Sequence, residues 1–320
     1  MKSELGGFLR YLEVEKGCSP GTIRAYCLDL EKGLFPFVRQ RDRFETAEIT
    51  RDDIRAYLDY LTFERGNSSA ARARKLAAIK SFFSYLVENE ALEVNPAASI
   101  RSPKIPEKEP EYLTEEECIR LLETIAQKAK PRVRERDKAM AVLFLHTGLR
   151  VSELTNLKLV NVDLDRGQIK ITRKGNKEQY LHLNGETVSM LARYLAKRPE
   201  AQNGKFFVGT CGGNLDRTHV YGVVRRYLKL AGINKSKRGP HLLRHTFCTR
   251  LHQKGVDPFI IKDLAGHKSL NTTMRYIKIE NKEQAEAIDR LEFGIPFQRE
   301  GALPLLKQEA AIQDPRGARF

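Results

Sequence analysis

Apolar side chains recur every three or four positions through the first hundred residues, which predicts amphipathic helices. A serine–proline pair at residues 19–20 starts a helix over residues 22–39, because serine caps a helix and proline suits its first position. Thr50 caps a second helix, and a serine pair at residues 68–69 opens a third that runs to residue 88. The apolar faces of the second and third helices are Ile54, Tyr57, Leu58 and Leu61, and Leu76, Ile79, Phe82, Phe83 and Leu86.

The helical pattern stops at residues 99–112, SIRSPKIPEKEPEY, which hold three prolines and show no apolar period. Proline removes a backbone donor and fixes φ, so this stretch predicts an extended linker. We therefore expect an N-terminal helical domain at residues 1–104, a linker at 105–112 and a second domain at 113–293. A tail at 294–320 follows.

The second domain mixes helices with a small antiparallel sheet. Residues 168–172 and 178–183 are predicted strands around a glycine-containing turn at 173–177, the pattern of a β-hairpin. A third short strand is expected at 205–208. The predicted fold is mainly α-helical with this small β-sheet. Its helices are expected at about 115–129, 134–146, 150–158, 186–197, 216–231, 241–254, 258–265 and 272–278.

Charge narrows the choice of partner. The chain carries 56 Lys and Arg against 41 Asp and Glu, a net charge of +15 with a pI near 9.6. Such an excess favours a polyanionic partner, either nucleic acid or an acidic membrane surface, and a solvated basic surface is the ordinary alternative. Residues 1–104 hold 17 basic and 15 acidic side chains, so most of the excess lies in the rest of the chain.

Two basic segments suit the phosphates that flank a DNA groove. The third predicted helix has no acidic residue between positions 65 and 87, and residues 217–256 include ten Lys or Arg among forty, with no acid at all. Such clusters neutralise backbone phosphates, although an ordinary solvated helix face shows a similar pattern. The candidate DNA-binding residues are Arg72, Arg74, Lys75, Lys80, Lys235, Lys237 and Arg238.

Several other classes of protein are disfavoured. The five cysteines are scattered and never spaced CxxC, which argues against a disulfide framework and a zinc knuckle. The amino terminus lacks the apolar region of a signal peptide, and no apolar run approaches the ~20 residues that cross a bilayer. Since Mg²⁺ needs carboxylate oxygens, the acid-free segment is unsuited to a magnesium site. We expect a soluble cytoplasmic protein with no membrane partner.

Breaking a phosphodiester without a metal requires fixed cationic donors, because negative charge builds on the nonbridging oxygens in the transition state. Arginine suits this task, since its planar fork can hold two oxygens. Arg150, in TGLRVSEL, follows a glycine at a helix start, where a cation opposes the helix dipole. Taken alone it is an ordinary surface arginine. In HLLRH at residues 241–245, Arg244 shares a helical face with His241.

The same segment places His241 and His245 four residues apart, which is also a spacing of zinc ligands. The zinc hydrolase pattern needs glutamate at the second position, and this chain has Leu242 there. We therefore expect no metal at this segment and a buried, hydrogen-bonded His245.

Two further groups complete a set. His267 is followed nine residues later by Tyr276, and Lys174 lies in the predicted hairpin turn. In this order, with the motifs TGLRVSEL, RKGNKEQ, HLLRHTF and LAGHKSLNTTMRY, the set resembles the tyrosine recombinases of the phage integrase family, particularly Xer-like single-chain members. The N-terminal helices before a proline-rich linker resemble that family's SAM-like core-binding domain. The resemblance covers about residues 3–293.

The resemblance implies a reaction on double-stranded DNA with no metal and no cofactor. The catalytic residues that it implies are Arg150, Lys174, His241, Arg244, His267 and Tyr276. The arginines would clamp the scissile phosphate, the tyrosine would attack phosphorus to leave a 3′-phosphotyrosyl link, and the lysine would protonate the leaving 5′-oxygen. His241 would assist the tyrosine as base or positioner, and His267 would hydrogen-bond the phosphate.

The resemblance also implies a homotetramer on DNA recombination sites, with or without a related recombinase as partner, in a prokaryotic nucleoid. Strands would be exchanged through a Holliday junction. One departure from the family pattern is Ile277-Lys278, where members often have a histidine two residues beyond the nucleophile. No separate arm-binding domain is expected before the first helix. Two alternatives remain open, a type IB topoisomerase-like nicking-closing enzyme and a DNA-binding protein without catalysis.

A last segment, KEQAEAIDRLEF at residues 282–293, spaces Ala285, Ile288 and Leu291 three positions apart. A helix of ~12 residues is marginal alone and needs a surface on which to bury this stripe. That surface is either its own catalytic domain or a neighbouring protomer in a cyclic exchange, which the resemblance favours.

Overall fold

The computed structural model describes residues 1–106, 110–173 and 177–276. The chain divides into two compact units, Met1–Lys108 and Glu109–Phe320. Both are mainly helical, and the second also contains a small antiparallel sheet, as the sequence predicts; its third strand, Val162–Asp163, was not predicted. Among the described residues, no helix is long and apolar enough to cross a membrane.

The first unit packs its helices around one apolar core. Ser19, Thr50 and Ser68 each accept a backbone N–H from the first turn of a helix, so the caps predicted from sequence set these boundaries. Aromatic rings pack against one another in the core, with Phe8 and Phe82 meeting edge-on at 5.4 Å between ring centroids. The helices are α1 (Lys2–Val14), α2 (Pro20–Asp29), α3 (Phe35–Arg39), α4 (Arg51–Phe63) and α5 (Ser69–Glu88).

The predicted helix over residues 22–39 is α2 and α3 joined by a π-helical segment, Leu30–Leu34. Asp29, at the end of α2, is buried and pairs with Arg74 and with Lys75, whose Nζ lies 2.9 Å from a carboxylate oxygen. The cationic face of α5 is therefore partly neutralised by a carboxylate from another helix, which the acid-free stretch between residues 65 and 87 does not reveal.

In the second unit, α7 is the central helix, with residues buried along most of its length, and α6, α9 and α11 pack against it. The helices are α6 (Glu115–Lys128), α7 (Pro131–Thr147), α8 (Val151–Asn156), α9 (Gly185–Ala196), α10 (Arg217–Leu230), α11 (Pro240–Gln253), α12 (Pro258–Ala265) and α13 (Leu270–Met274). The sheet has the order β1-β2-β3, formed by Val162–Asp163, Gln168–Thr172 and Glu178–His182. Ile169 on β2 faces Leu181 on β3, and both are buried in the core.

The strand predicted at residues 205–208 is wrong. Only isolated bridges form there, from Lys205 to Lys158 and from Val208 to Asn214. A ladder does not develop because the Arg198 guanidinium takes the carbonyl oxygens of Lys205 and its neighbour, at 2.6 and 2.9 Å. The predicted helix at 282–293 and the tail lie outside the described residues.

Candidate active site

Arg150 is held at a helix start by a buried carboxylate. Gly148 ends α7 in the left-handed conformation (φ +60°), and Arg150 is the N-cap of α8. Glu153 accepts both the backbone N–H and Nη1 of Arg150, each at 2.8 Å. Nη2 of Arg150 donates to the carbonyl oxygen of Gly266 at 2.6 Å. The carboxylate offsets the poor placement of a cation at a helix N-terminus. The Glu153 carboxylate also fixes the Arg150 guanidinium. About a third of the Arg150 side chain, 33%, stays exposed.

Arg244 lies on α11 and is buried. Its Nη1 donates to the carbonyl oxygen of Gly148 and its Nη2 to that of Ala265, both at 2.5 Å. Burial, reinforced by the charge of Arg150, lowers the pKa of Arg244 to about 10, so the side chain is still a cation near neutral pH. Two arginines that repel each other are thus held in place by backbone carbonyls, an arrangement that an anion would stabilise.

Tyr276 lies against two histidines, just after α13. The rings of His267 and Tyr276 stack with centroids 5.9 Å apart and planes 16° apart. His245 meets the same tyrosine ring edge-on at 5.3 Å. Nδ1 of His267 forms a hydrogen bond of 2.8 Å with the hydroxyl of Thr273, which fixes the imidazole. Gly266 ends α12 at φ +62° and so turns the chain toward His267.

Burial sets the resting protonation of this group. It raises the pKa of Tyr276 to about 12 and lowers the pKa of His245 and of His267 to about 4. Near pH 7 both imidazoles are therefore neutral, and the tyrosine keeps its proton until a base removes it. Among the described site residues, Arg150 and Arg244 carry positive charge.

His241 occupies the second position of α11, one turn before Arg244 on the same face, as its spacing predicts. The side chain is exposed overall, and its ring centroid lies 6.2 Å from that of Tyr221. Part of the ring is packed, and this desolvation lowers its pKa, with the charges of Arg244 and Arg150 adding to the effect. A neutral imidazole at this position can accept a proton.

His245 differs from its prediction, since it is half-buried rather than buried. The reason is its place at the edge of the site, where its ring covers Tyr276. Within residues 1–106, 110–173 and 177–276, no group of three or more His, Cys, Asp or Glu is placed to hold a metal ion.

Lys174 lies outside the described residues. The strands on either side are described, and the backbone N–H of Arg173 donates to the carbonyl oxygen of Lys177 at 2.7 Å, which closes the base of the hairpin. The structure therefore gives the position of the hairpin's base. The role of Lys174 as the acid that protonates the leaving oxygen stays a prediction.

Two residues of the site were not predicted, Glu153 and Arg173. Glu153 follows Arg150 by three residues at a helix start, and this capping spacing was the signal that could have identified it. Arg173 has no comparable signal, because it donates to backbone carbonyls 91 and 92 residues further along the chain. Such pairings appear only when the chain is folded.

The predicted DNA-binding residues of the first unit all lie on α5, and each has a partner within the unit. These partners are Thr62 for Arg72, Asp29 for Arg74 and Lys75, and the carbonyl oxygen of Ala98 for Lys80. Arg74 keeps 47% of its side chain exposed, whereas Lys75 keeps 18%, so the two are unequally available to a partner.

The predicted DNA-binding residues of the second unit, Lys235, Lys237 and Arg238, lie in the loop between α10 and α11. This loop borders a surface depression of about 520 Å³, which Arg225 also lines. The Glu111 carboxylate accepts the N–H groups of Ser236 and Lys237 and orders the loop. The face is strongly basic, although Lys235 is paired with Glu117 at 3.0 Å.

The site brings together groups that could catalyse a reaction of an anionic ester. Two fixed guanidinium groups offer a place for an anionic ester, and a tyrosine lies in the same site with its ring against two imidazoles that are neutral near pH 7. A nucleophile, a proton acceptor and charge stabilisation are the requirements of covalent catalysis at phosphorus.

Comparison with known proteins is consistent with covalent catalysis at phosphorus. The profile of the Phage integrase family matches residues 111–283, and that of the Phage integrase N-terminal SAM-like domain matches residues 5–90. The chain is 34% identical over 291 residues to Tyrosine recombinase XerC of Thermodesulfovibrio yellowstonii, covering 88% of this chain and 94% of that protein. It is 35% identical over 286 residues to the XerC of Herpetosiphon aurantiacus, covering 88% and 92%.

Two solved structures are also similar. One is the XerH site-specific recombinase bound to palindromic difH substrate in a post-cleavage complex, with 28% identity and a TM-score of 0.69 over 83% of this chain and 79% of that one. The other is XerH bound to difH substrate in a pre-cleavage complex, with 25% identity and a TM-score of 0.71 over 90% and 95%.

Proposed function

The chain belongs to the phage integrase family of tyrosine recombinases, and on this basis we propose how it cuts and rejoins DNA. It is a site-specific recombinase that acts through a tyrosine intermediate. The observation that carries the assignment of roles is the placement of Tyr276 against His267, in one unit with two carbonyl-anchored arginines.

In the proposed cleavage step, Arg150 and Arg244 bind the nonbridging oxygens of the scissile phosphate. The Tyr276 oxygen attacks phosphorus, its proton passes to His241, and the bond from phosphorus to the 5′-oxygen breaks. Lys174 donates a proton to that oxygen, so a 3′-phosphotyrosyl link and a free 5′-hydroxyl result. His267 donates a hydrogen bond to the phosphate from the ring nitrogen that Thr273 leaves free.

Rejoining runs the same step backwards with a 5′-hydroxyl from another strand. The phosphotyrosyl bond stores the energy of the broken diester, so neither ATP nor a metal is needed. Exchange of two pairs of strands in succession passes through a Holliday junction. The raised pKa of Tyr276 fits this scheme, because a tyrosine that stays protonated at rest does not attack until a phosphate and a base are both in place.

We propose that the seven basic residues predicted from sequence bind DNA backbone phosphates, four from α5 and three from the loop before α11. Their support is the net charge of +15 and the basic depression in the second unit. Arg74 is expected to contribute more than Lys75, which is mostly buried against Asp29.

The assembly that we propose is a homotetramer on two DNA sites, in the cytoplasm at the nucleoid. Within the chain, the limits that we propose are 1–104 for the helical domain, 105–112 for the linker, 113–293 for the catalytic domain and 294–320 for the tail. Two activities that the sequence alone left open are nicking-closing and DNA binding without catalysis. Both would leave DNA unrecombined, which makes them separable by experiment.

The test begins with selection of a binding site from random DNA, followed by incubation of the full chain with two copies of that site on one plasmid. We expect inversion or excision between the sites, with four protomers on two sites in a native mass measurement. Supercoil relaxation without exchange would favour the topoisomerase, and binding without covalent adduct would favour the non-catalytic protein.

A second prediction concerns Lys174→Ala. Replacing the bridging 5′-oxygen by sulfur gives a thiolate leaving group, which needs little protonation. If the lysine is the general acid, the variant should cleave ordinary DNA slower by roughly 10²–10⁴-fold and the sulfur substrate nearly as fast as the parent. Single-turnover cleavage on the two substrates measures this. Equal loss on both would assign Lys174 to phosphate binding, and Lys177→Ala is the matched control in the same hairpin.

A further inference from the structure

Arg173 donates more hydrogen bonds than Arg150 or Arg244, although none of them goes to Tyr276. Only 8% of its side chain is exposed. Nη1 donates to both oxygens of Glu153 at 3.3 Å and to the carbonyl oxygen of Ala265 at 2.9 Å. Nη2 donates to the carbonyl oxygen of Leu264 at 2.7 Å, and Nε donates to the side chain of Gln179 at 2.8 Å.

Two of these partners also hold a group with a proposed role. Glu153 is the carboxylate that holds Arg150. Ala265 is the carbonyl that Arg244 also binds, and it lies two residues before His267. One guanidinium therefore joins the start of α8, the end of α12 and the base of the β2–β3 hairpin.

The backbone is shaped to admit this guanidinium. Gly266 has φ +62°, and a Cβ added there would lie 2.5 Å from Nη1 of Arg173 and 2.6 Å from its Cζ. A side chain at this position would collide with the arginine as well as strain the backbone. The glycine thus serves the close approach of Arg173 in addition to the turn before His267.

We infer that Arg173 is a positioning residue of the recombinase, one that sets the orientation of the Arg150 guanidinium and of the α12 end by bridging Glu153 and two carbonyl oxygens. This inference rests on the proposed function. Lysine cannot replace the arginine here, because a single ammonium lacks the planar fork that serves a carboxylate and two carbonyls at once.

The test uses Arg173→Lys in the full chain, with single-turnover cleavage of suicide substrates that carry either a phosphate or a methylphosphonate at the scissile position. A methylphosphonate is neutral, so its transition state depends less on guanidinium charge. We expect Arg173→Lys to lose up to roughly 100-fold in rate on the phosphate, since small misplacements of catalytic groups have effects of that size. The loss on the methylphosphonate should be roughly tenfold smaller, and DNA affinity should change little.

Arg198→Lys is the matched control. Arg198 likewise donates to carbonyl oxygens, those of Phe206 and Lys205, but none of its partners belongs to the site. Its loss of rate should be small and equal on the two substrates. Arg173→Gln provides a second variant, with thermal unfolding measured for all of them.

The experiment distinguishes failure of the proposed function from failure of the positioning role of Arg173. If the parent forms no Tyr276 adduct, the proposed function fails. If the parent cleaves and Arg150→Ala shows the smaller loss on methylphosphonate, but folded Arg173→Lys loses equally on both substrates or loses nothing, the positioning role is overturned. Failure of both Arg173 variants to fold would likewise reject it, since the residue would then be structural.

Discussion

Tyr276→Phe is expected to bind its DNA site as tightly as the parent and to form no covalent adduct. The change removes only the hydroxyl oxygen, which is the proposed nucleophile. The ring can keep its packing against His245 and His267, because those contacts are made by ring faces and edges. Gel-shift affinity and denaturing-gel detection of protein-linked DNA on a suicide substrate measure the two properties.

Tyr221→Phe is the matched control, because Tyr221 also lies beside a proposed catalytic residue, His241. We expect this variant to form the adduct at close to the parent's rate. An adduct that persists in Tyr276→Phe and disappears in Tyr221→Phe would move the nucleophile to α10 and would overturn the assignment.

Arg244→Ala is expected to lower single-turnover cleavage by roughly 10²–10³-fold, because it removes a fixed donor to the charge that develops on the phosphate. Truncating a buried arginine also leaves the carbonyl oxygen of Gly148 without this donor and that of Ala265 to Arg173, which can weaken the fold. Arg244→Lys is therefore measured beside it. We expect this variant to stay folded and still to cleave slowly, since one ammonium cannot bridge both carbonyls and face a phosphate.

Arg150→Ala is the companion measurement, since Arg150 is partly exposed and its removal disturbs the fold less. It should show a similar loss of rate at saturating protein. If added protein restored the parent's rate in these variants, the two arginines would serve binding rather than the transition state.

Much of the fold could be predicted because its signals are local. Ser19, Thr50 and Ser68 cap helices within the next three residues, and the apolar stripes of α4 and α5 lie in the core as their spacing indicates. The hairpin of β2 and β3 follows from the same kind of short-range pattern.

What could not be predicted depends on contacts between distant segments. Asp29 neutralises part of α5 from another helix, and Arg198 takes the carbonyls that a third strand would have used. Within the site, the order and spacing of motifs predicted which groups are reactive. Glu153, which holds Arg150, has a local capping signal, whereas Arg173 is recognised only when α8, the hairpin and the end of α12 come together.

The most direct measurement is the identity of the residue that carries DNA after cleavage. The parent is incubated with a suicide substrate in EDTA, the adduct is digested with protease and nuclease, and the nucleotide-bearing peptide is sequenced by mass spectrometry. We expect a 3′-phosphate nucleotide on Tyr276, formed without added metal. A nucleotide on any other residue, or an adduct that forms only with a divalent metal, would contradict the account.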